Sequence, residues 1–252
     1  MPRTPRTTSD DEAAIAGKDT MKASERTRQE VLEALAAGDF VVGEELPSEA
    51  QLAETFGVSR LTMRETLGSL AAAGILEVRQ GRRNRIAPVE RWSILDPEVV
   101  TVRARLEGDT TGLVQDLMEA RRVLEVGMTH LAATRITDEE LTALEEQVQV
   151  MRAHVDAPDC VETSAHADIR FHEIILEAAH NPFLIEAFRT LSQMLLRVRL
   201  ETSRSRQVRL DALDRHQRIL AALRAHDEEA ASRAMHEHMD QTLRATQRIS
   251  LV

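Results

Sequence analysis

The stretch from Leu46 to Arg85 (LPSEAQLAETFGVSRLTMRETLGSLAAAGILEVRQGRRNR) restricts the fold of this 252-residue chain more than any other. Ser48 and Gln51 form an S-x-x-Q capping box that opens a short helix, which Gly57 ends. Ser59 caps a second amphipathic helix that runs to Ala73 and stops at Gly74. ILEVRQ and RIAPV then read as two strands around Gly81. Ahead of this unit, Ser24 to Ala37 predicts a helix with Val31, Leu32 and Leu35 on one face and Gly38 as its stop. Two helices across a tight turn followed by a hairpin predict a winged helix-turn-helix, whose second helix enters the DNA major groove.

Charge placement agrees with that reading although the chain carries a net charge of −10. From Arg60 to Arg91 there are seven Arg against three Glu, so the basic segment coincides with the second helix and the wing. Phosphates respond to charge within a Debye length, roughly 8 Å at physiological salt, and not to the total. Arg60 and Arg64 stand four apart on one helical face with Thr62 between them, placed to meet guanine edges or phosphates. Leu61, Leu67 and Leu70 are expected to pack inward. In the wing, Gln80, Gly81 and Arg82 form a turn able to enter the minor groove, with Arg83 and Arg85 at phosphates.

The remaining two thirds reads as helix throughout. Aromatic residues are scarce, with one Trp, five Phe and no Tyr, which excludes a sandwich or barrel. Helices are expected near 97–107, 110–135, 138–156, 161–180, 182–203, 207–225 and 228–249. Thr137 with Glu140, Asn181 before Pro182, and Asp227 supply the starts. The expected organisation is a disordered tail over 1–21, a winged helix-turn-helix over 22–90, a linker and connecting helix over 91–109, and an antiparallel helical bundle over 110–252. No apolar run approaches transmembrane length, and the single Cys160 offers no internal disulfide, which suits a cytoplasmic protein without a membrane partner.

Helical faces sort the nine His. Glu162/His166 and His236/Asp240 lie in polar stripes. Asp168/His172 share a stripe with Ala165, Ile169, Leu176 and Ala179, and should face the core. His216 is in line with Ala212, Leu213, Ile219, Leu220 and Leu223, and His238 with Ala231, Ala234 and Ala245. A single inward His is commonly a hydrogen-bonded core residue. One Asp and three His from three helices suit a divalent transition metal, zinc first and nickel or manganese as alternatives, with positions left for a ligand. His130 also faces partly inward, while His154, His180 and His226 sit near helix ends. Arg121 lies in an apolar row with Val114, Leu117, Leu124, Met128 and Leu131. It either pairs with Glu125 along the helix or forks the carboxylate of a bound acid.

These motifs carry a resemblance. LPSE, LAE, GVSR, RETL and LAAAGIL resemble the DNA-binding domain of the GntR family of bacterial repressors over about residues 22–88, and the resemblance carries DNA contacts to Arg60, Thr62, Arg64 and Gly81, with Ser59, Gln80 and Arg82 expected at the DNA beside them. Ala50 stands where that family commonly has a DNA-contacting Arg, and QGRRN adds a wing Arg. EARRVLE, the D-x-x-x-H of ADIRFHEIILEAAHNP, RHQRIL and a terminal His resemble the FCD effector domain of the FadR-like branch. That resemblance implies a homodimer and a metal on Asp168, His172, His216 and His238 that helps bind a small organic acid. The linker RWSILDPEVV is similar to the W-x-x-LDP-x-V linker of sugar-acid regulators such as those for galactonate. The expected function is a ligand-responsive repressor, not an enzyme, bound to a pseudo-palindromic double-stranded DNA operator. A metal-sensing repressor and a metalloenzyme with a DNA-binding head are the alternatives.

Overall fold

The computed structural model describes residues 8–79, 81–108, 110–157 and 160–246. They fall into two compact units, Met1–Gly108 and Asp109–Val252.

In the first unit α1 spans Thr8–Ala37, α2 Glu49–Thr55 and α3 Arg60–Ala72; β1 spans Leu76–Glu77, β2 Arg85–Ile86 and α4 Pro97–Glu107. Helix α1 begins well before the expected start at Ser24, so helical backbone covers most of the segment read as a disordered tail. Residues 1–7 lie outside the described residues.

Val31, Leu32 and Leu35 of α1 pack with Leu52 of α2, with Met63, Leu67 and Leu70 of α3, and with Ile75, Leu76 and Ile86. Each such fully buried side chain contributes roughly 1.5–3 kcal/mol. Val99 and Val102 of α4 enter the same core, so the helix expected as a connector completes the head. The linker itself is fastened: Trp92 is buried and donates from Nε1 to the Ala87 carbonyl at 2.9 Å. Asp96 caps α4 and pairs with Arg28 of α1 at 2.5 Å. Gly74, at φ +75°, is required here, because a Cβ would stand 2.2 Å from the Arg91 carbonyl oxygen.

The wing is shorter than the strands read from 75–80 and 85–89. Leu76 pairs with Ile86 and Glu77 with Arg85, and Pro88, lacking an N–H, cannot extend the ladder. The other edge of β2 is taken by the FVVGEEL segment, whose Gly43 amide donates to Ile86 at 3.0 Å while the Ile86 amide donates to Glu44 at 2.9 Å. This bridged segment supports a hairpin too small to stand alone.

The second unit contains α5 (Thr110–Arg135), α6 (Asp138–His154), α7 (Val161–Ala178), α8 (Pro182–Ser203), α9 (Arg206–Arg224) and α10 (Glu228–Thr246). The expected starts are formed: Thr137 and Glu140 cap each other reciprocally, and Asn181 accepts from the Phe183 and Leu184 amides. Helix α7 is central and packs on α5, α6 and α8, while α10 packs on α5 and α9. Phe171, Ile174 and Ile175 of α7 join α6, α9 and α10 in one apolar cluster, and Leu176 joins α5 and α8 in another. Buried Arg209 donates to the Val155 carbonyl at 3.0 Å and the Ser203 carbonyl at 2.6 Å, satisfying two helix ends and seating the start of α9. Among the described residues no helix is long and apolar enough to cross a membrane.

Candidate DNA-reading face and metal centre

The Ser59 hydroxyl accepts from the Thr62 amide at 3.1 Å and lies 2.8 Å from the Thr62 hydroxyl. Arg60 and Arg64 emerge exposed on one face of α3, as their spacing predicts. Thr62 does not join them. It is 6% exposed with its hydroxyl committed to the cap, so its side chain is not displayed on that exposed face. Leu61 is corrected in the opposite sense: expected inside, it is 57% exposed, because Met63, Thr66, Leu67 and Leu70 fill the inward stripe. Arg64 is held by Glu49 of α2, with Nη2 3.0 Å from Oε1 and Nε 3.3 Å from Oε2.

In the wing, Gly81 has φ +71°, and Gly81, Arg82 and Arg83 are exposed. Arg85, expected at a phosphate, is half-buried and donates from Nε to the Gly43 carbonyl. Gln80 lies outside the described residues.

In the bundle, the four expected ligands come together. Asp168, His172, His216 and His238 are all buried, and one ligand atom from each lies within 4.8 Å of the others. His172 Nε2 is 3.1 Å from His238 Nε2 and 3.3 Å from His216 Nε2, and Asp168 Oδ1 is 3.5 Å from His216 Nε2. Ligands bonded at about 2.1 Å to one ion stand roughly 3.0–3.4 Å apart, so these side chains fit a divalent ion. Helix α7 supplies two ligands one turn apart, and α9 and α10 one each. Phe171 packs on the His216 ring at 4.5 Å between centroids and fixes its plane.

A second layer orients the first. His172 Nδ1 lies 2.5 Å from Glu125 Oε2, the carboxylate–His arrangement that fixes a ligand's tautomer. Arg121 Nε stands 2.5 Å from Glu125 Oε1, and Arg199 Nε lies 2.7 Å from Asp168 Oδ2 as an ion pair without hydrogen-bond alignment. Arg121 therefore adopts the intrahelical pair with Glu125, yet its buried Nη1 has no hydrogen-bond partner, nor has Nη2 of Arg199. The Nδ1 atoms of His216 and His238 are likewise unpartnered.

Burial pushes the His216 imidazole down to about 3, against the pull of Asp168, and burial with the neighbouring imidazoles holds His238 well below its ordinary range. Burial opposes ionisation of Glu125, but Arg121 and His172 outweigh it and hold the carboxyl at about 2. Asp168 is likewise kept ionised against burial, chiefly by Arg199. Neutral imidazoles and an ionised carboxylate are the forms that bind a metal.

Arg199 escaped the sequence reading, and Glu125 was read only as a partner of Arg121, not of His172. The stripe test that selected the His residues would have found Arg199, which shares its face of α8 with buried Leu195, Val198 and Thr202. His130 does not belong to the cluster: it is half-exposed and 3.1 Å from Glu228. His154, His180 and His226 serve helix ends, bonding the Val150 carbonyl, Glu140 and the Ala133 carbonyl.

Comparison with known proteins adds to this geometry. Residues 23–86 match the model for bacterial regulatory proteins of the gntR family, and residues 116–241 match the FCD domain. The chain is 31% identical over 199 residues to the galactonate operon transcriptional repressor of Escherichia coli K12, covering 78% of this chain and 85% of the repressor. It is 30% identical over 207 residues to the HTH-type transcriptional regulator LutR of Bacillus subtilis 168, covering 80% of this chain and 91% of LutR. A solved Streptococcus agalactiae GntR structure aligns with 31% identity and TM-score 0.50 over 88% of this chain and 99% of that one. A Listeria monocytogenes structure, Lar, described as controlling the agr system, shares the fold at 20% identity and TM-score 0.63, over 90% of this chain and 97% of its own.

Proposed function

The chain belongs to the gntR family of bacterial regulatory proteins and carries an FCD domain, so it is a transcriptional regulator and not an enzyme; from that premise we propose that it is a dimeric repressor whose hold on DNA answers to a small organic acid bound at the buried metal centre. Two copies of α3 occupy successive major grooves of a pseudo-palindromic operator. Arg60 and Arg64 meet guanine edges or phosphates, Ser59 sets the start of the helix at the backbone, and Gly81 and Arg82, with Gln80, enter the minor groove.

The observation that carries the effector reading is the convergence of Asp168, His172, His216 and His238 in the core. Zinc suits this set, with nickel or manganese as alternatives. A bound divalent ion supplies open coordination positions to a carboxylate. Arg121, tethered through Nε by Glu125, offers its free Nη1 to the same acid, and Arg199 offers Nη2. A sugar acid of the galactonate class is favoured by the name of the 31% identical relative. The ligand shifts DNA affinity only as far as it prefers one state of the protein.

Elemental analysis tests the centre: the wild type should retain a divalent ion that the double variant His172→Ala/His216→Ala loses. Full occupancy in that variant sinks the assignment. Thermal-shift screening of the metal-loaded protein against sugar acids, hydroxy acids and amino acids then identifies the effector, which must raise the melting temperature. Sedimentation at operator-binding concentrations tests the dimer. The closed surroundings of the ligands, none more than 5% exposed, favour a second reading in which the metal itself is the signal. DNA affinity that follows metal concentration with no acid present would select it.

A further inference from the structure

We propose that Glu49 is a specificity-determining residue that acts through Arg64, occupying one edge of its guanidinium and leaving the other to a base. This rests on the reading that α3 reads DNA. Glu49 and Arg64 lie on different helices, with Arg64 Nη2 3.0 Å from Glu49 Oε1 and Nε 3.3 Å from Oε2. Both donors of the Nε–Nη2 edge are therefore engaged. A guanidinium carries five N–H groups in a rigid fork. With one edge filled, the Nη1–Nη2 end still offers the two donors that guanine O6 and N7 accept.

The carboxylate is itself well placed to hold the fork still. Glu49 is the first residue of α2, directly after the reciprocal cap of Ser48 and Gln51. Its side chain is 33% exposed, against 70% for Arg64. The clamp has two consequences for recognition. Arg64 loses less rotamer freedom on meeting a base, because part of it is already lost. The negative charge beside it also offsets attraction to any phosphate, which weakens sequence-independent binding. Specificity is the ratio of the two affinities, and both effects raise it. Arg60, the other exposed Arg of the face, has no ion pair among the described residues and keeps its full charge for the backbone.

The test uses the full-length chain and a duplex that the wild type selects from a randomised double-stranded pool, against a scrambled duplex of equal composition. Fluorescence anisotropy compares wild type, Glu49→Gln, Arg64→Ala and the double variant over a salt series. Glu49→Gln should lower the selected-to-scrambled affinity ratio about tenfold, largely by tightening the scrambled duplex. If the released guanidinium takes a phosphate, the salt slope steepens by about 0.9. In the Arg64→Ala background the same change should move the ratio less than about twofold, because the effect passes through Arg64. Glu49→Asp keeps an acid at the start of α2 but shortens its reach, and should lose specificity as Glu49→Gln does. The proposal is overturned if Glu49→Gln leaves the ratio unchanged, weakens both duplexes in proportion, or acts equally without Arg64. If Arg64→Ala binds the selected duplex as tightly as wild type, or no duplex is selected, the DNA-reading assignment of α3 falls, and this proposal with it.

Discussion

Arg64 in the DNA-reading head and Arg121 in the bundle each face a glutamate, at 3.0 Å and 2.5 Å, in opposite surroundings. The Arg64 side chain is 70% exposed, whereas that of Arg121 is 2% exposed and its partner Glu125 is wholly buried. Water screens the first pair, so it contributes little to stability and can be exchanged for a contact with DNA. The second cannot be opened without leaving a charge stranded in the core. The head thus displays its working charges on an apolar scaffold, while the bundle builds its working charges into the scaffold. A surface of the first kind can read a polyanion; a site of the second kind suits a small, desolvated, charged ligand.

The largest test of this contrast is removal of one partner from each pair. Arg121→Ala should cost about 3–5 kcal/mol of unfolding free energy, because the buried Glu125 carboxylate loses the guanidinium at Oε1 and keeps only His172 at Oε2. A loss under about 1 kcal/mol in urea titration would erase the distinction. Acid sharpens it further. His216 is held near 3 when folded, whereas an unfolded His titrates near 6.5, so the unfolded chain gains a proton that the folded one refuses. Stability is complete above pH 6.5 and falls as pH drops, by about 2 kcal/mol for this group between pH 6.5 and 5 in metal-free protein. His238 acts in the same direction. Urea midpoints that do not move across that window would contradict a neutral, buried cluster.

In the head the measurable quantity is binding. Arg64→Ala should weaken the selected duplex by about 1–3 kcal/mol and leave the melting temperature within a few degrees, and gel shifts with unchanged affinity would remove Arg64 from the reading face. The smallest effect belongs to a cap remote from both sites. Thr137→Ala should cost about 1 kcal/mol, and neither DNA affinity nor metal content should follow. A change in metal content would mean that α6 is coupled to the centre more tightly than its packing implies.

Much of both regions was legible in the chain because the relevant signals are local. Caps at Ser48, Ser59, Thr137 and Asn181 mark helix starts by hydrogen bonds spanning two or three residues, and all four are formed. The inward stripes likewise identified Asp168, His172, His216 and His238, since a helical period reports which side of a helix meets the core. The same period misplaced Leu61. At the first turn of α3 the cap and the neighbouring helices decide which flank is covered, and periodicity carries no information about neighbours. Helix α4 lies at its expected bounds but was read as a connector for a related reason: Val99 and Val102 announce an apolar face without saying whose core it enters.

By itself the sequence determined most of the elements, the division into a head with a basic helix-and-wing segment and a helical bundle, and the identity of the four inward-facing Asp and His residues. Only the tertiary structure decided that the four ligand atoms meet within 4.8 Å, that Glu125 and Arg199 complete their surroundings, and that Glu49 reaches Arg64. The physical reason is range. Propensity, capping and amphipathicity act over one or two helical turns, whereas His172 and His238 are 66 residues apart and meet only where α7 and α10 pack around a shared interior.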